Sequence, residues 1–217
     1  MTALTSQISL PSLGGEDRGP LSAVRSGPAT TDSPAPATTA GAGTPRVIGL
    51  DLSMTATGIA TWDGRPLSTV RTVASDGDQR LRRIMVTVRA DAYDYVAKTP
   101  IDLAVIEDLP THAHGAGITG MVHGAVRVAL MELGVPYALV PPATLKKFAT
   151  GRGNATKPDM RMALFQRAGL DIRDDNQVDA WWLRAAGLEY LGHPLLELPK
   201  AQRDALAKVA WPEAVAG

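Results

Sequence analysis

The 217-residue chain contains no cysteine, which excludes a disulfide framework, a thiolate metal site and a cysteine nucleophile. It has no run of about 18 apolar residues, which excludes a membrane-spanning helix. Its first residues lack a basic stretch followed by an apolar one, so no secretory leader is expected and a cytoplasmic protein is the simplest reading. Excess charge is missing too: 22 Lys and Arg balance 22 Asp and Glu. Zero net charge argues against a uniformly phosphate-binding surface, because such binding depends on Lys and Arg displacing counterions.

The charges that are present are segregated. Lys146, Lys147, Arg152, Lys157, Arg161 and Arg167 lie within one stretch that holds a single acid, Asp159. Arg80, Arg82, Arg83 and Arg89 form a second basic group. Acids gather at Asp171, Asp174, Asp175 and Asp179, with Glu107 and Asp108 elsewhere. Separate patches of this kind suit a chain that grips a polyanion and holds divalent cations.

Residues 1–44 are rich in Ala, Pro, Ser, Thr and Gly and have almost no periodic apolar content, so a disordered arm is expected there. From Arg46 the pattern changes to strands and helices. Val47 to Leu50 read as a buried strand that carries Asp51 into the sheet, and a Ser- and Thr-rich turn with Gly58 leads to a second strand near 57–62. Asp63-Gly64 turns the chain into a third strand near 66–73. Apolar residues at helical spacing predict a helix over 78–98. A fourth strand, 103–107, follows, then a helix over 119–133 capped by Gly134, and a fifth strand, 137–140. Helices are expected near 143–148, from Thr156 to Gly169 with Pro158 in its first turn, and over 176–191. Residues 194–217 form a tail with a candidate amphipathic helix over 199–211. The expected fold class is α/β, a five-stranded mixed sheet in order 3-2-1-4-5 flanked by helices, over 45–193.

Phosphodiester hydrolysis assisted by two metal ions needs oxygen ligands converging from separate elements, since hard cations prefer oxygen and one acid can bridge both ions. Asp51 sits mid-sheet, Glu107 ends the strand expected beside it, and Asp179 lies on the last helix. Asn176 and Asp175 fall one turn before Asp179 and share its helix face. Taken singly, each acid also has a purely structural reading: a satisfied buried acid, a strand-end acid, or acids favouring a helix N-terminus. A metal site at His112, His114 and His123 is disfavoured, because no matching ligand stands at four-residue spacing from His123. Trp181 and Trp182 are expected in the core.

The sequence resembles the RuvC-type Holliday-junction resolvases of the RNase H-like superfamily over about Arg46 to Gly192. The resemblance rests on Ile48-Gly49-Leu50-Asp51 with the following Thr57-Gly58, on Arg80-Leu81, on Val105-Ile106-Glu107, on residues 120–130 and Leu145-Lys146, and on Asp179-Ala180. Its most specific stretch is Pro142 to Lys157, which includes Gly153-Asn154-Ala155-Thr156-Lys157. It implies metal-binding acids at Asp51, Glu107 and Asp179, and catalytic or phosphate-contacting roles for Lys146 and Lys157. It further implies a homodimer and Mg2+ or Mn2+, two ions per site. The implied activity is cleavage of branched DNA in recombination and repair.

Three departures accompany the resemblance. Asn176 stands where the bacterial resolvases have a fourth acid, with Asp175 as the neighbouring substitute. Pro110 falls where they place an aromatic wedge, and the total charge is less basic. These departures suggest a divergent branch, such as proteins of phages or other mobile elements. They also motivate a second reading, a catalytically weakened protein that binds branched DNA. A third, an actin-like phosphotransferase, rests on the similarity of Asp51-x-Ser53 with Thr57-Gly58 to a first phosphate loop.

Overall fold

The computed structural model describes residues 43–109 and 116–213. Along the chain it has β1 (Val47–Asp51), β2 (Ala56–Ala60), β3 (Ser68–Arg71), α1 (Gln79–Asp91), β4 (Tyr93–Asp94), β5 (Thr99–Pro100) and β6 (Leu103–Glu107). There follow α2 (Ala116–Glu132), β7 (Tyr137–Val140), α3 (Pro142–Thr150), α4 (Lys157–Ala168), α5 (Asp175–Tyr190) and α6 (Lys200–Arg203). The main sheet is β3-β2-β1-β6-β7, with β4 and β5 as a separate ribbon. β1 and β2 pair antiparallel with Asp51 opposite Gly58; β1 and β6 pair parallel with Leu50 opposite Ile106.

Strand periodicity distributes the core. Successive side chains point to opposite faces, so Ile48, Leu50, Ala104 and Ile106 face one side and Val47, Val105 and Val140 the other. The first set packs with Ile84 and Val88 of α1 and Val122, Val126 and Leu130 of α2. The second packs with Leu145 and Phe148 of α3, Met160 and Leu164 of α4, and Trp182 and Leu183 of α5. Asp51 and Glu107 share the parity of this second set, which aims both acids at the side of the sheet covered by α5. Trp181 and Trp182 are buried as expected; the indole N–H of Trp182 donates to the Met160 carbonyl at 3.3 Å, and its ring meets Phe148 edge-on.

Glycine lets α5 sit this low. A Cβ at Gly49 would collide with the Ala180 carbonyl, and one at Gly58 with the Asn176 carbonyl. A Cβ at Gly187 would stand 2.6 Å from Val105 Cγ2 and 2.7 Å from Val47 Cγ1. The backbone of α5 therefore rests on β1 and β2 with no side chain between, and Asp179 is brought down onto the end of β1.

Several expectations are corrected. The helix predicted over 78–98 ends at Asp91, because Asp94 accepts from the Val96 and Ala97 N–H groups at 2.9 Å each and Lys98 turns left-handed at φ 55°. This turn builds the β4-β5 ribbon, so the sheet order numbered along the chain is 3-2-1-6-7 and not 3-2-1-4-5. The tail helix predicted over 199–211 is only four α-helical residues, Lys200–Arg203, followed by a 3-10 turn, Asp204–Lys208. Leu206 and Val209 of this segment, with Leu198 just before it, join the core that holds Trp182. Residues 1–42 of the expected arm, and Pro110, His112 and His114, lie outside the described residues.

Candidate active site

Asp51, Glu107 and Asp179 come from the ends of two neighbouring parallel strands and from the helix laid across them. Their carboxyls are strongly perturbed. Burial, and then the Asp179 charge, push Asp51 up to about 7. Burial followed by Asp51 and Asp179 push Glu107 up to about 8, and burial raises Asp179 to about 6. Removal from water disfavours each charge, and the acids disfavour one another. Lys146 on α3 and Lys157 at the start of α4 oppose this, both favouring the ionised forms of Glu107 and Asp179. The site thus unites the three acids with the two lysines expected to act beside them.

Local sequence fixes the lysines. Lys146 lies in α3, which Pro142 starts and Gly151, left-handed at φ 84°, ends. Lys157 opens α4, where Thr156 and Asp159 cap each other's backbone N–H groups. Gly151 and Gly153 lie in the turn between these helices, and Gly153 packs on Ala143.

The residues before Asp179 divide their roles. Asp174 is the N-cap of α5: it accepts from the Asn176 N–H at 3.0 Å and the Asn176 side-chain amide at 2.9 Å. Its other oxygen accepts from Thr69 at 2.9 Å and Arg71 at 2.6 Å, so it is held down by β3. The amide of Asn176 is thereby turned toward Asp174. Asp175 pairs with Lys157 at 3.4 Å and raises the pKa of Asp179, which sets it at the margin of the acid cluster. Asp174, expected with Asp175 and Asp179 among acids that favour a helix N-terminus, is the N-cap itself.

The turn after β1 is tied internally. Ser53 accepts from the Ala56 N–H at 3.0 Å, and the Thr57 hydroxyl donates to the Ser53 carbonyl at 2.7 Å. The hydroxyls that resembled a phosphate loop are used to fold this turn. His123 is buried on α2, where burial lowers its pKa. Among the described residues, no three His, Asp or Glu side chains stand at the spacing of a single metal-ion cage.

The order of the five sheet strands and the helices on both faces define an α/β fold that two solved structures share. One is RuvC from Thermus thermophilus, with a TM-score of 0.55 and 22% identity over 70% of this chain and 99% of that one. The other is T. thermophilus RuvC in complex with a Holliday junction substrate, with a TM-score of 0.56 at the same identity and coverage. No family model and no curated protein matches the chain. The fold is RuvC-like. Both neighbours are bacterial, and the narrower placement among phage or mobile-element proteins receives no support from them.

Proposed function

We propose that this chain is a structure-selective endodeoxyribonuclease, dependent on Mg2+ or Mn2+, that resolves Holliday junctions or other branched DNA. The observation that carries the reading is the meeting of Asp51, Glu107 and Asp179, with Lys146 and Lys157 beside them, in a RuvC-like fold. Three desolvated carboxyls facing two ammonium groups are an oxygen-donor set with negative charge to spare, which suits hard divalent cations. Asp51, charge-coupled to both Glu107 and Asp179, would contribute to holding either of two ions.

Divalent cations held by these acids would supply an activated water and charge neutralisation at the attacked phosphate. The chain's own residues do the rest. Asp51, Glu107 and Asp179 hold the charge and orient the attack; Lys146 and Lys157 stabilise negative charge developing on the displaced oxygen. Asn176, whose Nδ2 donates to Asp174, and Asp175, which pairs with Lys157, both stand one turn before Asp179, and either would supplement the acids.

Cutting two opposed strands calls for two sites, and α2 offers a surface for a second copy. Ile118, Met121, Val128 and Met131 project from it half-exposed at spacings of three and seven residues, along one helix face. An isologous pairing of that face gives a homodimer.

The test is incubation of the purified chain with labelled four-way, Y-shaped and linear duplex DNA in Mg2+, Mn2+ or EDTA, beside Asp51→Ala. Symmetric metal-dependent nicks on branched DNA, lost in Asp51→Ala with binding retained, are expected. Binding without nicking by the unaltered chain would favour the weakened, DNA-binding alternative, for which the Asn176 substitution speaks.

A further inference from the structure

The helix that begins at the site carries a second feature that the cleavage chemistry does not use. Met162 and Phe165 are each 53% exposed on α4, although the rest of its apolar residues face the core. Together with Pro158, Arg161 and Asp171 they line a groove of about 280 Å³. Arg161 is held in that groove: its Nε donates to the Ile172 carbonyl at 2.8 Å, and Nη2 stands 3.7 Å from Asp171. Its guanidinium is fixed by the segment joining α4 to α5, a preorganised cation against an exposed apolar floor.

Lys157, Arg161 and Phe165 recur every four residues, so they form one stripe along α4. At 1.5 Å per residue, Phe165 lies about 12 Å along the helix from Lys157, roughly three to four nucleotides of a stacked strand at about 3.4 Å each. A strand whose phosphate lies at Lys157 has a cation at the next turn and an aromatic ring at the one after. Resting on the nuclease reading above, we propose that the α4 groove receives an unpaired base of the branched DNA, stacked on Phe165 and Met162, with Arg161 against its backbone. Continuity with the acid site selects this occupant: the stripe starts at Lys157, beside the acids, and its two cations, Lys157 paired with Asp175 and Arg161 paired with Asp171, are partly exposed and can exchange those acids for phosphate. Base stacking on an exposed ring is tolerant of sequence and selective for strands that are not paired. Phe165 is then a residue that positions the substrate and favours branched over linear DNA.

The experiment places 2-aminopurine singly at successive positions of a four-way junction and of a linear duplex. Fluorescence and affinity are read with the full chain, Phe165→Ala, Phe165→Trp and the exposed control Val86→Ala. Quenching is expected at a position about three or four nucleotides from the cut, on the junction only. Phe165→Ala should abolish it and weaken junction binding about 5- to 150-fold, as loss of one stacked base predicts. Phe165→Trp should restore both, and Val86→Ala should leave both unchanged. Quenching retained by Phe165→Ala, with affinity within twofold of the parent, overturns the inference while leaving the nuclease reading standing. Failure of the unaltered chain to prefer the junction overturns that reading itself.

Discussion

Replacing Asp51 with asparagine in the metal-free protein should stabilise the fold at pH 8 and leave it nearly unchanged at pH 4. Burial and the Asp179 charge raise the Asp51 pKa from 3.8 to about 7. At about 1.4 kcal/mol per unit, keeping that carboxylate ionised in the fold costs on the order of 4 kcal/mol. Below about pH 4 the folded and unfolded chains both hold the proton and no penalty exists. Between about pH 4 and 7 the unfolded chain releases it and the folded chain keeps it, so stability falls as pH rises. Above about pH 7 the Asp51 penalty is complete, and Glu107, raised to about 8, extends the fall by a further unit. The three acids titrate as a coupled group, so their penalties do not add in full. Asparagine fills nearly the same volume without the charge and relieves Glu107 as well. A gain of about 2–4 kcal/mol at pH 8, roughly 4–16 °C in thermal unfolding, is expected in EDTA. Saturating Mg2+ should raise the melting temperature of the parent, since it binds the folded chain, and raise that of Asp51→Asn much less. A parent stability that is flat from pH 5 to 8, or an Asp51→Asn protein that is less stable at pH 8, would refute the reasoning.

Three other outcomes follow from the packing and charge. Gly58→Ala places a Cβ against the Asn176 carbonyl and should cost about 3 kcal/mol or more, seen as a lowered midpoint in urea unfolding. Trp182→Ala empties the centre of the α3-α4-α5 core and should cost about 3–5 kcal/mol by the same assay. Lys157→Met removes a cation that favours ionised Asp51, Glu107 and Asp179, so nicking should fall by about 100-fold while the circular dichroism spectrum is retained. For the proposed dimer, Val128→Asp should convert a dimer to a monomer in sedimentation, with the melting temperature shifted by no more than a few degrees.

Much of this protein is local in origin and was legible residue by residue. Short apolar runs bounded by turn residues set the five strands of the main sheet and put Asp51 and Glu107 at the ends of two of them. Cap and breaker residues, Thr156, Pro158, Gly151 and Gly169, marked where α3 and α4 begin and end. Asp51 was readable because a buried strand ending in a carboxylate is costly without a purpose, whereas Lys146 and Lys157 were singled out only by the resemblance to the resolvases. The same reasoning failed where a short-range side chain overruled a periodic pattern. Asp94 turned the end of the expected first helix into a ribbon.

Only the tertiary structure decided how these pieces stand to one another. That α5 lies directly on β1 and β2 depends on glycines at Gly49 and Gly58, whose missing side chains matter only once the helix is above them. The raised pKa values depend on the same approach, because desolvation and mutual repulsion arise from neighbours brought together across more than a hundred residues of chain. The α4 groove likewise needs the 169–174 segment folded back over Arg161. Strand parity and capping act over a few residues, so the sequence determines them; burial and charge coupling act through space, and the fold has to supply them.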